Sequence, residues 1–167
     1  MKKLLPLVLS LVLALALVGC GEKAAPREEA ASGENAQIAN PYVTLSSAEE
    51  MLDTAGLTVS LPAQLPDWVT ETVYRAMPGK LMEVIYRNDT NEIRVRAALG
   101  TEDISGVYDS ESAVLVDMTV QGNTVHMKGK GDLVNLATWT DGTMTFSVSS
   151  PAGIDLAVME QIVAEIH

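Results

Sequence analysis

From Trp68 onward, apolar and polar residues alternate with a period of two, the signature of half-buried strands. The alternation predicts strands over Val69 to Met77, Leu81 to Arg87, Glu92 to Leu99, Val114 to Val120, Thr124 to Lys128, Leu133 to Thr140 and Thr143 to Ser149. In Glu92 to Leu99, Ile93, Val95, Ala97 and Leu99 share one face while Arg94 and Arg96 share the other. Asp141-Gly142 is the strongest hairpin signal in the chain. A two-residue turn there pairs Thr140 with Thr143, Trp139 with Met144, Ala137 with Phe146 and Asn135 with Val148. Trp139, Ala137, Met144, Phe146 and Val148 then face the core, and Thr138, Thr140, Thr143, Thr145 and Ser147 face away from it.

Helical spacing flanks the strands. Ser46 and Ser47 precede Glu49 and Glu50, so either alignment makes a Ser-x-x-Glu capping box. Ala48, Met51, Leu52 and Ala55 follow at helical spacing, and Gly56 stops them. Leu57 to Leu61 reads as a short extended piece, before Pro62 and Pro66 bracket a rigid turn. At the other end, Leu156, Met159, Ile162, Val163 and Ile166 form one stripe of a closing helix over Asp155 to Ile166. The expected class is α+β: a single antiparallel, strongly twisted sheet of about seven strands, with a short amino-terminal helix and a carboxy-terminal helix packed on one face.

The first residues follow a different pattern. Lys2 and Lys3 precede an apolar run from Leu4 to Val18, which has the charged start and length of a signal peptide. The run is short for a membrane span, and Pro6 and Ser10 interrupt it. It ends in Leu17-Val18-Gly19-Cys20, which resembles the lipobox of bacterial lipoproteins. The resemblance implies cleavage before Cys20, diacylglyceryl attachment to its thiol, and a lipid anchor on the extracytoplasmic face of the cell membrane. Residues 1–19 are then a lipoprotein signal peptide, residues 20–40 the acylated cysteine and a flexible tether, and residues 41–167 the folded domain. The tether is rich in small, charged and Gly/Pro residues, with Ile38 its only large apolar side chain.

Composition sharpens this division. The chain of 167 residues has a net charge of -11, and loss of Lys2 and Lys3 with the signal peptide makes it -13. An acidic chain without basic patches argues against nucleic-acid binding. Cys20 is the only cysteine, so an acylated form has no disulfide and the domain is held by packing.

Several short motifs also carry a family resemblance: Leu61-Pro62-x-x-Leu65-Pro66, Glu83-Val84-Ile85-Tyr86, Asp103-Ile104-Ser105-Gly106-x-Tyr108, Val120-Gln121-Gly122-Asn123 and Ala137-Thr138-Trp139-Thr140-Asp141-Gly142. Together with the two flanking helices, they resemble the DUF4367-like domains of bacterial cell-envelope proteins. The implied layout is similar to the lipoprotein-carrier group LolA/LolB. The resemblance implies a fold and an envelope setting and carries no catalytic residues.

Candidate chemistry is sparse. His126 sits mid-strand on the predicted solvent face and His167 is terminal; neither has a Cys or second His at zinc-ligand spacing. Serines lack a Gly-x-Ser-x-Gly context, and Gly129-Lys130-Gly131 lacks the length of a phosphate loop. Asp103, Asp109 and Glu111 fall in or beside the longest loop and are the candidate ligand or cation donors, without the donor series of an EF-hand. Trp68 is a candidate groove residue beside the amino-terminal segment. Glu83 and Glu92 opposite Arg94 and Arg96 read as outer-face pairs of little energetic weight. These features predict a non-enzymatic binding or docking module for an envelope protein or ligand, with no cofactor. The alternative is a carrier or chaperone for an apolar, lipid-like ligand.

Overall fold

The computed structural model describes residues 39–108 and 113–167, with Val114 and Leu115 described in their backbone alone. Cys20 and the tether lie outside the described residues, as do Asp109 and Glu111. Eight strands form one sheet: β1 (Val43–Leu45), β2 (Glu71–Met77), β3 (Leu81–Arg87), β4 (Glu92–Leu99), β5 (Ala113–Val120), β6 (Asn123–Lys130), β7 (Leu133–Thr140) and β8 (Met144–Asp155). Two helices complete the fold, α1 (Ala48–Ala55) and α2 (Leu156–Ala164). The α+β class therefore holds, with eight strands where the periodicity predicts about seven. The added strand is β1, whose three residues are too few to show alternation; it pairs with β2 from Val43↔Ala76 to Leu45↔Tyr74.

All pairings are antiparallel, and the spatial order is β1-β2-β3-β4-β8-β7-β6-β5. The sheet is thus two four-stranded meanders, joined where β4 pairs with β8. This order forces the β4–β5 connection to travel from the middle of the sheet to its far edge.

One face is apolar. A lateral row of Leu45, Tyr74, Val84, Val95, Val148, Ala137, Met127 and Val116 crosses all eight strands. These residues join a cluster with Met51 and Ala55 of α1 and with Met159, Ile162 and Val163 of α2. Met51, Met82, Met127 and Met159 are completely buried, so flexible thioethers fill the space between helices and sheet.

The helix signals translate into specific bonds. Ser47 is the N-cap of α1 and its hydroxyl accepts from the Glu50 amide. The Glu50 carboxylate reaches one residue further back, to the Ser46 amide and hydroxyl, so the two serines divide the capping box between them. Gly56 ends the helix at φ 71°, a left-handed conformation that suits glycine. Leu57 to Leu61 forms no strand; its Ser60 amide donates to the His167 carbonyl instead. Glu165 similarly accepts from the Gln64 amide, fastening the proline-bracketed segment to the carboxy terminus.

The β7–β8 hairpin keeps its predicted faces and changes its register. Thr140 pairs with Thr145, Trp139 with Phe146, and Ala137 with Val148. The reason is Asp141, whose Oδ1 accepts from both the Thr143 and Met144 amides. That side-chain turn widens the loop by two residues and conserves parity, so no side chain changes face. Trp139 and Phe146 consequently stack, with centroids 5.1 Å apart. Beyond Ser149, β8 bulges outward and rejoins β7 at Val134↔Ile154. Asn135 spans the bulge by donating to the carbonyls of Ser150 and Pro151.

Candidate functional site

The face opposite the helices carries a second lateral row, in register with the apolar one. Thr44, Arg75, Glu83, Arg96, Ser147, Thr138, His126 and Asp117 are successive cross-strand partners from β1 to β5. Alternation alone places them there, because each lies one residue from a member of the apolar row. The row is charged on the β1–β4 side and hydroxyl-rich on the other.

Glu83 is the centre of the charged half. It interrupts an otherwise apolar stretch of β3 and is 0% exposed. Arg96 Nε donates to Glu83 Oε2 at 2.7 Å, Arg75 Nε lies 3.0 Å from Oε1, and Arg94 Nε lies 3.6 Å from Oε2. The Arg75 contact is an ion pair by distance, with angles poorer than those of a hydrogen bond. Arg94 turns its outer nitrogen to Glu92 at 2.7 Å, and the Tyr42 ring covers the Arg75 guanidinium at 4.3 Å. Three of the four arginines among the described residues therefore converge on one carboxylate. The outer-face pairing expected of Glu83 and Glu92 is real, but at Glu83 it is buried rather than superficial. A buried carboxylate without partners is strongly unfavourable, so this cluster carries weight that an exposed pair does not.

Arg96 also holds the β4–β5 crossover against this face. Its Nη1 donates to the carbonyls of Ser105 at 2.6 Å and Ile104 at 3.0 Å. Gly106 passes so close that a Cβ there would lie 2.6 Å from Arg96 Nη1. The crossover thereby buries Ser105 and lies over the middle strands, where Glu83, Ser147 and Ser149 are buried although they face away from the helices.

The latched crossover separates two open clefts of about 220 Å³ each. The first is bordered by Thr101 and Asp103 of the crossover and by side chains of β6, β7 and β8 including Thr124, His126 and Thr138. The second is bordered by Ser105 and Gly106 on the other flank of the crossover, and by Glu92, Arg94, Asn135 and Ser149. In the first, His126 is oriented by Asp117, whose Oδ1 lies 2.8 Å from the imidazole Nδ1. Both groups are more than half exposed, so this pair positions the ring and adds little stability.

The candidate residues distribute unevenly over this arrangement. Asp103 borders the hydroxyl-lined cleft, where its Oδ1 also accepts from the Ser105 amide. Asp109, Glu111 and Cys20 lie outside the described residues. Among the described residues, no group of three or more His, Cys, Asp or Glu side chains could hold a metal ion. Trp68 is half-buried against the core cluster. The smaller cleft of about 120 Å³ near it is lined by Leu65 and Pro66 with Val158 and Ile162 of α2, and Trp68 is not part of its wall. His126 is exposed on the outer face, and His167 Nε2 lies 3.3 Å from the Ser60 hydroxyl. Sequence reading missed Arg75 and Tyr42; it grouped Thr138, Thr140, Thr143 and Thr145 on the outer face without placing a cleft there. The available signal was Glu83 itself, a lone carboxylate inside an apolar strand, which needs charged or hydrogen-bonding partners if it is buried.

Chemically, the face offers hydroxyls, one oriented imidazole, and a guanidinium cluster neutralised in part by Glu83 and Glu92. These groups can accept and donate hydrogen bonds to a ligand. Compared with known proteins, the chain matches no protein-family model, no curated protein sequence and no solved structure.

Proposed function

We propose that this chain is a membrane-anchored, extracytoplasmic lipoprotein whose domain is a non-enzymatic binding module of the DUF4367-like type. Anchorage rests on the lipobox-like segment ending at Cys20. The binding role rests chiefly on one observation: the helix-free face carries an ordered polar row with two clefts beside a latched crossover. A tether of about 20 residues gives a reach of roughly 25 Å from the bilayer, enough to present this face to an envelope component.

The carrier alternative draws less support. A carrier for an apolar ligand requires an apolar cavity between the helices and the sheet. That space holds completely buried side chains from both helices and the sheet, and the cleft beside α2 is only about 120 Å³.

Photo-crosslinking in intact cells tests the binding role. A crosslinker at Thr140, exposed on the outer face, is expected to capture an envelope component. One at Ala157, exposed on α2, is expected to give background only. Capture from Ala157 alone, or equally from both positions, would contradict the assignment of the binding face.

A further inference from the structure

We infer that the cleft bordered by Thr101, Thr124, His126 and Thr138 is a binding site for a neutral, polyhydroxylated ligand, a sugar residue. The inference deepens the binding-module reading and depends on it, but does not depend on the lipid anchor.

The argument starts from the lining. Three adjacent strands each present side chains to the cleft: Thr124 and His126 from β6, Thr138 and Thr140 from β7, and Thr145 from β8. They converge because the outward positions of antiparallel strands align laterally, with His126 opposite Thr138 and Thr140 opposite Thr145. Threonine is β-branched, so its hydroxyl is carried on a stiff side chain and loses little freedom when it binds. The Thr140 hydroxyl is taken up by the β7–β8 turn, donating to the Met144 carbonyl and accepting from the Gly142 amide. The hydroxyls of Thr124 and Thr138 can each both donate and accept, which matches the hydroxyls of a sugar. The imidazole is held at Nδ1 by Asp117, leaving Nε2 for a ligand. Asp103 supplies an acceptor from the crossover side.

Other ligand classes fit less well. An anion would meet the Asp103 carboxylate, and no arginine borders this cleft, whereas Arg94 borders the other. An apolar ligand would leave the hydroxyls without partners, which is costly on burial. A metal ion would find only Asp103 and His126 as strong ligands. The volume, about 220 Å³, has room for one sugar ring and its substituents, and the cleft is open enough for that ring to belong to a longer glycan. The Trp139 ring stacks on Phe146 on the core side, so recognition rests on hydrogen bonds rather than aromatic stacking. A few neutral hydrogen bonds imply a dissociation constant on the order of a millimolar.

Saturation-transfer NMR on the detergent-solubilised full chain suits this affinity. The probes are glucose, mannose and N-acetylglucosamine, with maltotriose and triacetylchitotriose as the trisaccharide counterparts of glucose and N-acetylglucosamine. At least one probe is expected to show a saturable signal, and a trisaccharide that binds more tightly than its monosaccharide identifies a glycan rather than a free sugar as the source. Thr138→Val and Thr124→Val preserve side-chain shape and strand propensity, and each is expected to weaken binding about fivefold. Circular dichroism confirms that both variants remain folded. Absence of a saturable signal from all five probes would overturn the inference, as would unchanged binding in the double valine variant. Photo-crosslinking from Thr140 to an envelope protein, with no sugar signal, would overturn this inference while leaving the binding-module reading intact.

Discussion

Glu83 shows how a single residue organises the outer face. Its carboxylate is buried among three guanidinium groups, and removing it leaves like charges facing each other in a partly desolvated setting. Glu83→Ala is expected to cost about 3–5 kcal/mol, read as a lowered urea midpoint. A loss below about 1 kcal/mol would show that the arginines find other partners. Tyr86 gives a second test. Burial in the core cluster pushes its hydroxyl well above the usual tyrosine range, and Tyr42 is raised in the same sense by burial. The sign follows directly: below about pH 10 the phenol is protonated in both states, and above it only the unfolded chain ionises. Stability is therefore full below that pH and falls as pH rises toward the folded value. Tyr86→Phe is expected to flatten this alkaline decline in denaturation midpoints measured between pH 8 and 11, and an unchanged slope would contradict it. The row of pairing residues was legible in part. Arg94, Arg96 and Glu83 stood out as outward positions, whereas the burial of Glu83 depends on a crossover whose path no local pattern encodes.

At the scale of elements, the crossover is the part most dependent on one contact. Arg96 joins Glu83 to the carbonyls of Ile104 and Ser105, and Gly106 at φ 63° admits the guanidinium. Gly106→Ala is expected to destabilise the protein by more than about 1 kcal/mol, through both the positive φ and the contact with Arg96. Hydrogen exchange should show the effect concentrated at Ser105 and Val107, whose amides bond within the crossover. Protection unchanged there would remove the latch from the account. Strands were readable where alternation was long: β3, β4 and β7 begin and end as the periodicity predicts. It failed where side-chain bonding decided the outcome. Asp141 reset the hairpin register, Asn135 stabilised a bulge that let β8 continue to Asp155, and the Gln121-Gly122 turn, with both φ angles positive, started β6 one residue early.

At the scale of the whole molecule, the residues from Asn40 to His167 form one compact unit, and Leu45 is the first residue packed on its core. Among the described residues, no helix is long and apolar enough to cross a membrane. Deleting residues 1–20 is accordingly expected to shift the thermal midpoint by less than about 2 °C. A larger loss would show that residues 1–20 contribute to the folded domain. The two-sided logic of the sheet was legible in outline, since the apolar face called for helices to cover it. The Thr- and Ser-rich character of the other face was legible too, but its clefts were not, because they arise from strand order and from the crossover rather than from any contiguous motif.

The proposed anchorage at Cys20 would hold the domain outside the membrane, and it is the claim that sets where the proposed binding role is exercised. Intact mass spectrometry of the protein extracted from its native membrane tests it most directly. The account predicts a chain beginning at Cys20 and carrying the added mass of a diacylglyceryl group. A soluble chain with an unmodified Cys20 thiol, or one that retains residues 1–19, would contradict it.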